Sequence, residues 1–258
     1  MPDWGLGKYE LTALELEPVA ERVVAMASPL RTESVLDVAC GTGNAAILAA
    51  RFRSKVTGLD QAQRLIEVAR TRAADEGLDI TFEVGDAEAL PFPDRSFDVV
   101  TSIFGMIFAG DPERAFSEMI RVMRPGGRAY LTVWLPGGTI DAMVGLFIKY
   151  VNAATGEPGP PSRLQWHEEP AVEELAARHG ATATFHEGEL QFFADSPEEY
   201  LRRNQENHPM SVGMKPLLEN AGTLEDLESE VLDVLRSGNE DPDAFRVTSR
   251  YRVIEIRL

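Results

Sequence analysis

Asp37, Gly41, Gly43, Asp60 and Asp86 stand at turns that follow successive strand-like runs, and together they have the chemistry of a ligand pocket. The run Asp37-Val38-Ala39-Cys40-Gly41-Thr42-Gly43-Asn44 sits between a β-branched segment and a helix-like one. Its glycines permit a tight turn and let backbone amides come close to a bound molecule. The spacing Gly41-x-Gly43-x-x-Ala46 also satisfies the dinucleotide fingerprint, so the turn alone does not choose the ligand. Asp37 helps to choose. A carboxylate there would lie near the pyrophosphate of a dinucleotide at an electrostatic cost, whereas a ligand that is positively charged at that point would gain from it. The ordinary alternative is that Asp37 caps the turn or the helix start.

Asp60 ends the second strand-like run about 20 residues after the first glycine, where a carboxylate can accept both hydroxyls of a ribose. Asp86-Ala87, past the third run, can meet an adenine edge through a carboxylate and an amide; a turn-forming aspartate is the alternative. Phe104, Met106 and Phe108 follow the fourth run at its carboxyl end, where open α/β sheets bind ligands. With Met143 and Phe147 from a later apolar segment they are candidates to line a second, apolar pocket, with plain core packing as the alternative. Among His167, His179, His186 and His208, the last is the best candidate for a general base and His167, beside Trp166, the second; a solvated loop histidine is the alternative for each. No Asp, Asn or His spacing insists on a metal, so no metal site is expected.

The elements that must position these residues alternate strand and helix from about Ser34 to Trp134. Strand-like runs at 35–39, 55–60, 80–84 and 97–103 are separated by helical patterns at 44–52 and 61–77, the latter with Leu65, Ile66, Ala69 and Ala73 on one face. Asp111-Pro112 reads as a helix cap with proline at the first turn, Pro125-Gly126-Gly127 as the end of that helix, and Arg128–Trp134 as a fifth strand. Such alternation builds a parallel, doubly wound α/β sheet. Beyond it, 139–153, 170–179, 197–207 and 224–235 read as helices, and 182–193 and 245–256 as strands, with a linker at Gly156–Ser162. The expected division is a Rossmann-like core with an N-terminal lid over 1–138. Residues 139–258 then complete a mostly parallel seven-stranded sheet with an antiparallel edge pair (about 170–193 and 244–258) and add helical cap insertions at about 139–165 and 195–240.

The sequence of 258 residues carries 25 Lys plus Arg against 42 Asp plus Glu, a formal net charge of -17. That field disfavours nucleic-acid partners and anionic membranes and favours solubility. With a single cysteine, Cys40, no intrachain disulfide forms. No apolar stretch is long enough to span a bilayer, and the expected location is cytoplasmic. A homo-oligomer stays open.

From Trp4 to Trp134 the chain resembles the class I, seven-stranded S-adenosylmethionine-dependent methyltransferases, and is similar to their ubiquinone and menaquinone biosynthesis branch. The matching segments are Val35–Gly43, Val56–Asp60, Gly85-Asp86-Ala87-Glu88-Ala89-Leu90-Pro91-Phe92, Ser96–Val100, Ser102-Ile103-Phe104-Gly105 and Arg121–Gly127. The resemblance implies S-adenosyl-L-methionine as cofactor and a small-molecule methyl acceptor. It implies that Asp37, Gly41 and Gly43 hold the methionine portion, Asp60 and Gln61 the ribose and adenine, Asp86 and Ala87 the adenine, and the backbone at Ser102 and Ile103 the methionine carboxylate or amine. Trp4, Gly7 and Tyr9 resemble a segment that closes over the cofactor, and Ala39 replaces the glycine commonest at its position. In such chemistry the sulfonium is a good leaving group, so alignment and exclusion of water carry most of the catalysis. Two other classes remain: a protein that binds the cofactor without turnover, and an NAD-dependent oxidoreductase, against which Asp37 argues.

Overall fold

The computed structural model describes residues 3–156 and 164–258. Seven strands form one sheet in the order β3-β2-β1-β4-β5-β7-β6. The strands are β1 Ser34–Val38, β2 Lys55–Asp60, β3 Ile80–Val84, β4 Phe97–Ser102, β5 Met123–Trp134, β6 Thr182–Ala194 and β7 Phe245–Arg257. The first five pair in parallel, and β7 runs antiparallel between β5 and β6. This is the mixed, mostly parallel sheet with an antiparallel edge pair expected from the sequence. Alternation along β1 explains its burial: Val35 faces one apolar layer and Leu36 the other, both at most 1% exposed, so helices must cover both faces.

On one face lie α2 Glu17–Ala27, α3 Asn44–Arg51 and α4 Gln63–Asp75, preceded by α1 Tyr9–Glu15. On the other lie α5 Pro112–Val122 and α7 Glu169–Arg178, around Phe116, Met119 and Leu175. The Asp111 side chain accepts from the amide of Arg114 at 3.1 Å, so α5 begins as its cap and proline suggested. It ends earlier than the Pro-Gly-Gly signal: Val122 is its last residue, and Pro125-Gly126-Gly127 lie within an irregular start of β5, where the pairing with β4 shifts register. Regular pairing begins at Arg128, opposite Val99.

The cap consists of α6 Gly138–Thr155 after β5 and of α8 Pro197–Asn207, α9 Pro209–Asn220 and α10 Leu224–Ser237 between β6 and β7. Helix α9 is not signalled by the sequence, because Pro209 opens it and Pro216 lies inside it. The helices α1 and α2 are likewise unexpected; Pro18 falls in the first turn of α2 and leaves both helices nearly continuous through Leu16. Gly156 closes α6 in the left-handed conformation, and the rest of the linker to Ser162 lies outside the described residues.

Candidate cofactor and acceptor site

The carboxyl ends of β1, β2, β3 and β4 converge where the chain order of the sheet reverses, between β1 and β4. After β1 the backbone turns through left-handed conformations at Ala39 (φ 53°), Gly41 (φ 55°) and Gly43 (φ 86°). For an alanine such a φ costs about 1–2 kcal/mol, so Ala39 carries strain that a glycine there would not. Gly43 has a φ that favours glycine, and a Cβ on it would also press against Ala69 and the Phe82 ring at 3.2 Å. Gly41 faces the ligand side, where a Cβ would meet the Tyr9 ring at 3.2 Å.

Two buried carboxylates flank this turn. Asp60 accepts from the amide of Gly41 at 2.9 Å and of Ala62 at 2.8 Å. Asp37 accepts from the Thr101 hydroxyl at 2.8 Å and the Ala46 amide at 3.1 Å. Burial is the main reason that both are harder to ionise than free carboxyls; that of Asp37 is pushed up to about 7, with the neighbouring charge of Asp60 adding to the effect. Among the described residues neither is in an ion pair with a cationic side chain. A ligand carrying positive charge would complement this pair of acceptors, and a pyrophosphate would be repelled by their ionised forms.

In front of the turn opens a cavity of about 450 Å³. Trp4, Tyr9, Ala39, Gly41, Asp60, Gln61, Asp86, Ala87 and Ile103 line it, as do the five apolar candidates Phe104, Met106, Phe108, Met143 and Phe147. Asp37, Gly43 and Ser102 do not reach that wall. Asp37 borders an adjoining cleft of about 30 Å³ beneath the turn, next to Tyr9 and Gly41. The Ser102 hydroxyl accepts from the Met106 amide at 3.1 Å and so fixes the turn after β4. Asp86 does what its turn-forming alternative requires, accepting from the Glu88 amide at 2.9 Å, while still bordering the cavity. Phe104 is left-handed (φ 52°), its amide held by the Thr132 hydroxyl at 2.7 Å, and its ring is stacked 3.9 Å from that of Trp134.

The N-terminal segment contributes Trp4 and Tyr9 to the cavity wall. Trp4 packs against Phe108 and meets the edges of Tyr9 and His208. Arg64 of α4 holds this segment through the Gly5 carbonyl at 2.7 Å and the Glu10 carboxylate at 3.0 Å. Gly7 turns at φ 63° against α8, with a Cβ there only 2.2 Å from the Asn207 carbonyl. Of the histidines only His208 lines the cavity; burial lowers its pKa to about 4 and keeps the imidazole neutral. His167, by contrast, faces Glu168, His179 packs on Phe116 and His186 faces Glu255. Sequence reasoning missed Glu15, Asn204 and Ser249, all of which line the cavity. Only Asn204 carried a signal, through its nearness to His208 in the chain.

Residues 35–127 match the methyltransferase-domain family. A protein of Mycobacterium tuberculosis (strain ATCC 25618 / H37Rv) known only as uncharacterised is 35% identical over 188 residues, 72% of this chain and 68% of its own length. A demethylmenaquinone methyltransferase of Thermus thermophilus is 38% identical over 117 residues, 45% of this chain and 53% of that one. The YcgJ protein of Bacillus subtilis superposes with a TM-score of 0.62 at 19% identity, over 95% of this chain and 98% of that one, a likeness of fold. The fold, the glycine turn and these relatives define one class: the chain belongs to the class I S-adenosylmethionine-dependent methyltransferase family. In the alignment with other mycobacterial relatives it spans about three fifths of their length, 61%.

Proposed function

We propose that the protein transfers the methyl group of S-adenosylmethionine to a small, largely apolar acceptor. The observation that carries this reading is the continuity of the cavity: its lining joins Gly41, Asp60, Asp86 and Ala87 to apolar side chains of the turn after β4 and of the cap helices. Its volume, about 450 Å³, falls within the usual range for small-molecule sites.

The cofactor, when bound, supplies an electrophilic methyl on a sulfonium whose departure needs no acid from the protein. Asp60 would accept the ribose hydroxyls with the lone pairs its two amide contacts leave free, and Gln61, Asp86 and Ala87 would border the base. Asp37 keeps the first turn of α3 in place through the Ala46 amide and contributes negative potential beneath the glycine turn. Trp4, Tyr9 and Phe108 exclude water from the cavity mouth, which strengthens each electrostatic contact inside. His208 is neutral across the physiological range and can accept a hydrogen bond from a hydroxyl or amine acceptor, although burial makes it a weaker base than a free imidazole.

Calorimetric titration with S-adenosylhomocysteine tests the cofactor end. Asp60→Ala should weaken binding by at least about 100-fold, since it removes two charged hydrogen bonds worth about 1.5–3 kcal/mol each. Undiminished binding in the variant would contradict the ribose assignment.

A further inference from the structure

The acceptor end of the cavity is not uniformly apolar. Beside apolar residues such as Phe147, Phe192 and Leu218, its lining includes a carboxylate, Glu15, an amide, Asn204, and a hydroxyl, Ser249. The use each makes of its polar atoms differs. The Asn204 oxygen accepts from the Ser211 hydroxyl at 2.8 Å. The Ser249 hydroxyl is buried and has no hydrogen-bond partner among the described residues. Glu15, at the end of α1, receives Arg203 on one oxygen at 2.6 Å, and its second oxygen has no donor among the described residues.

The Glu15 side chain borders the cavity and is about a quarter exposed (26%), so its second oxygen is open to a hydrogen bond from water or from a ligand in the cavity. Burial raises the Glu15 carboxyl above its ordinary range in spite of Arg203. Arg203 itself is shared, because the same nitrogen also donates to the Phe193 carbonyl at 2.7 Å. Its other contact is with the Tyr200 ring, 5.7 Å from the centroid.

We infer that Glu15 is a specificity-determining residue of the acceptor lobe, and that its free oxygen selects apolar acceptors bearing a hydroxyl or amine hydrogen over acceptors without one. This rests on the methyltransferase reading for the lobe's purpose, but not for its chemistry. The preference is a property of the pocket and is measurable with no methyl transfer taking place.

Two probes of nearly equal shape separate the alternatives: 2-naphthol, which has a hydroxyl hydrogen, and 2-methoxynaphthalene, which has none. Binding of each is measured by calorimetry on the full chain saturated with S-adenosylhomocysteine, for the wild type, Glu15→Gln and Glu15→Ala. The wild type should favour 2-naphthol by about tenfold or more, as expected for a hydrogen bond to a carboxylate. Both variants should reduce that ratio to below about threefold. Glu15→Gln retains an oxygen for Arg203, so it keeps the fold if Glu15→Ala does not; a thermal melt of each variant checks this. An equal affinity of the wild type for both probes, a failure to bind either, or an unchanged ratio in Glu15→Gln would overturn the inference. The same samples report the cofactor end separately: loss of S-adenosylhomocysteine binding in the wild type would count against the methyltransferase reading, whatever the naphthol ratio.

Discussion

Gly105 and Ala39 meet where the glycine turn touches the turn after β4, and their contact gives a test by double-mutant cycle. A Cβ on Gly105 would lie 2.4 Å from the Ala39 Cβ, 3.1 Å from the Ala39 carbonyl and 3.1 Å from the Ser102 hydroxyl. The backbone of Gly105 is right-handed, at φ −96° and ψ −53°, so alanine there meets no conformational penalty and the whole cost of Gly105→Ala is steric. Overpacking of this kind costs about 1–3 kcal/mol. Ala39→Gly relieves a left-handed alanine worth about 1–2 kcal/mol. It gives back about 0.5–1 kcal/mol in the flexibility of the unfolded chain, which leaves a small net gain. In the double variant the nearest clashing atom is gone and only the two contacts at 3.1 Å persist. The double variant should therefore be more stable than the sum of the single changes by about 1–2 kcal/mol. Urea denaturation of the four proteins measures this term, and S-adenosylhomocysteine titration should show Gly105→Ala weakened and the double variant restored. Additivity within about 0.5 kcal/mol would refute the proposed contact between the two turns.

Two further changes probe the walls of the site. His208 has a folded pKa of about 4 against an ordinary 6.5, so between these values the unfolded chain binds more protons and stability falls as pH falls. Wild type should lose up to roughly 3 kcal/mol relative to His208→Gln between pH 7 and pH 4, and parallel urea midpoints at both pH values would show the effect absent. Asp37, raised to about 7, acts in the opposite sense, with stability rising as pH falls from 7 towards 3.8, and the comparison with the variant removes its contribution. Arg64→Ala frees the Gly5 and Glu10 contacts of a partly exposed residue; global stability should change by less than about 1 kcal/mol. Affinity for S-adenosylhomocysteine should nevertheless fall severalfold, with faster amide exchange around Trp4, and unchanged exchange there would show that Arg64 does not anchor the segment.

Much of this was legible in the sequence because it is local. The alternation of strand and helix, the glycine turn, the Asp111 cap and the place of Asp60 at the end of β2 each depend on residues a few positions apart. Asp37 shows where locality ends. Its residue type suggested a ligand contact, yet its oxygens are taken by Ala46 and by Thr101, the latter supplied by β4 only because the sheet places that strand beside β1. Glu15 was silent for the same reason: it becomes a cavity residue when α1 folds over the sheet and Arg203 arrives from α8. Helix α9 was hidden by its two prolines, one of which starts the helix while the other is tolerated on an exposed turn. The five apolar pocket candidates were found from their place after β4 and within α6, although Phe104 and Met106 are also core residues, at 5% and 3% exposure.

The most direct test is a pair of calorimetric titrations on the wild-type chain, one with S-adenosylhomocysteine and one with NAD. The two buried carboxylates beside the glycine turn should admit the first at one molecule per chain, with an affinity of ~1–100 μM, corresponding to about −8 to −5 kcal/mol, and exclude the second. Heat on adding NAD, with none on adding S-adenosylhomocysteine, would contradict the assignment of this cavity.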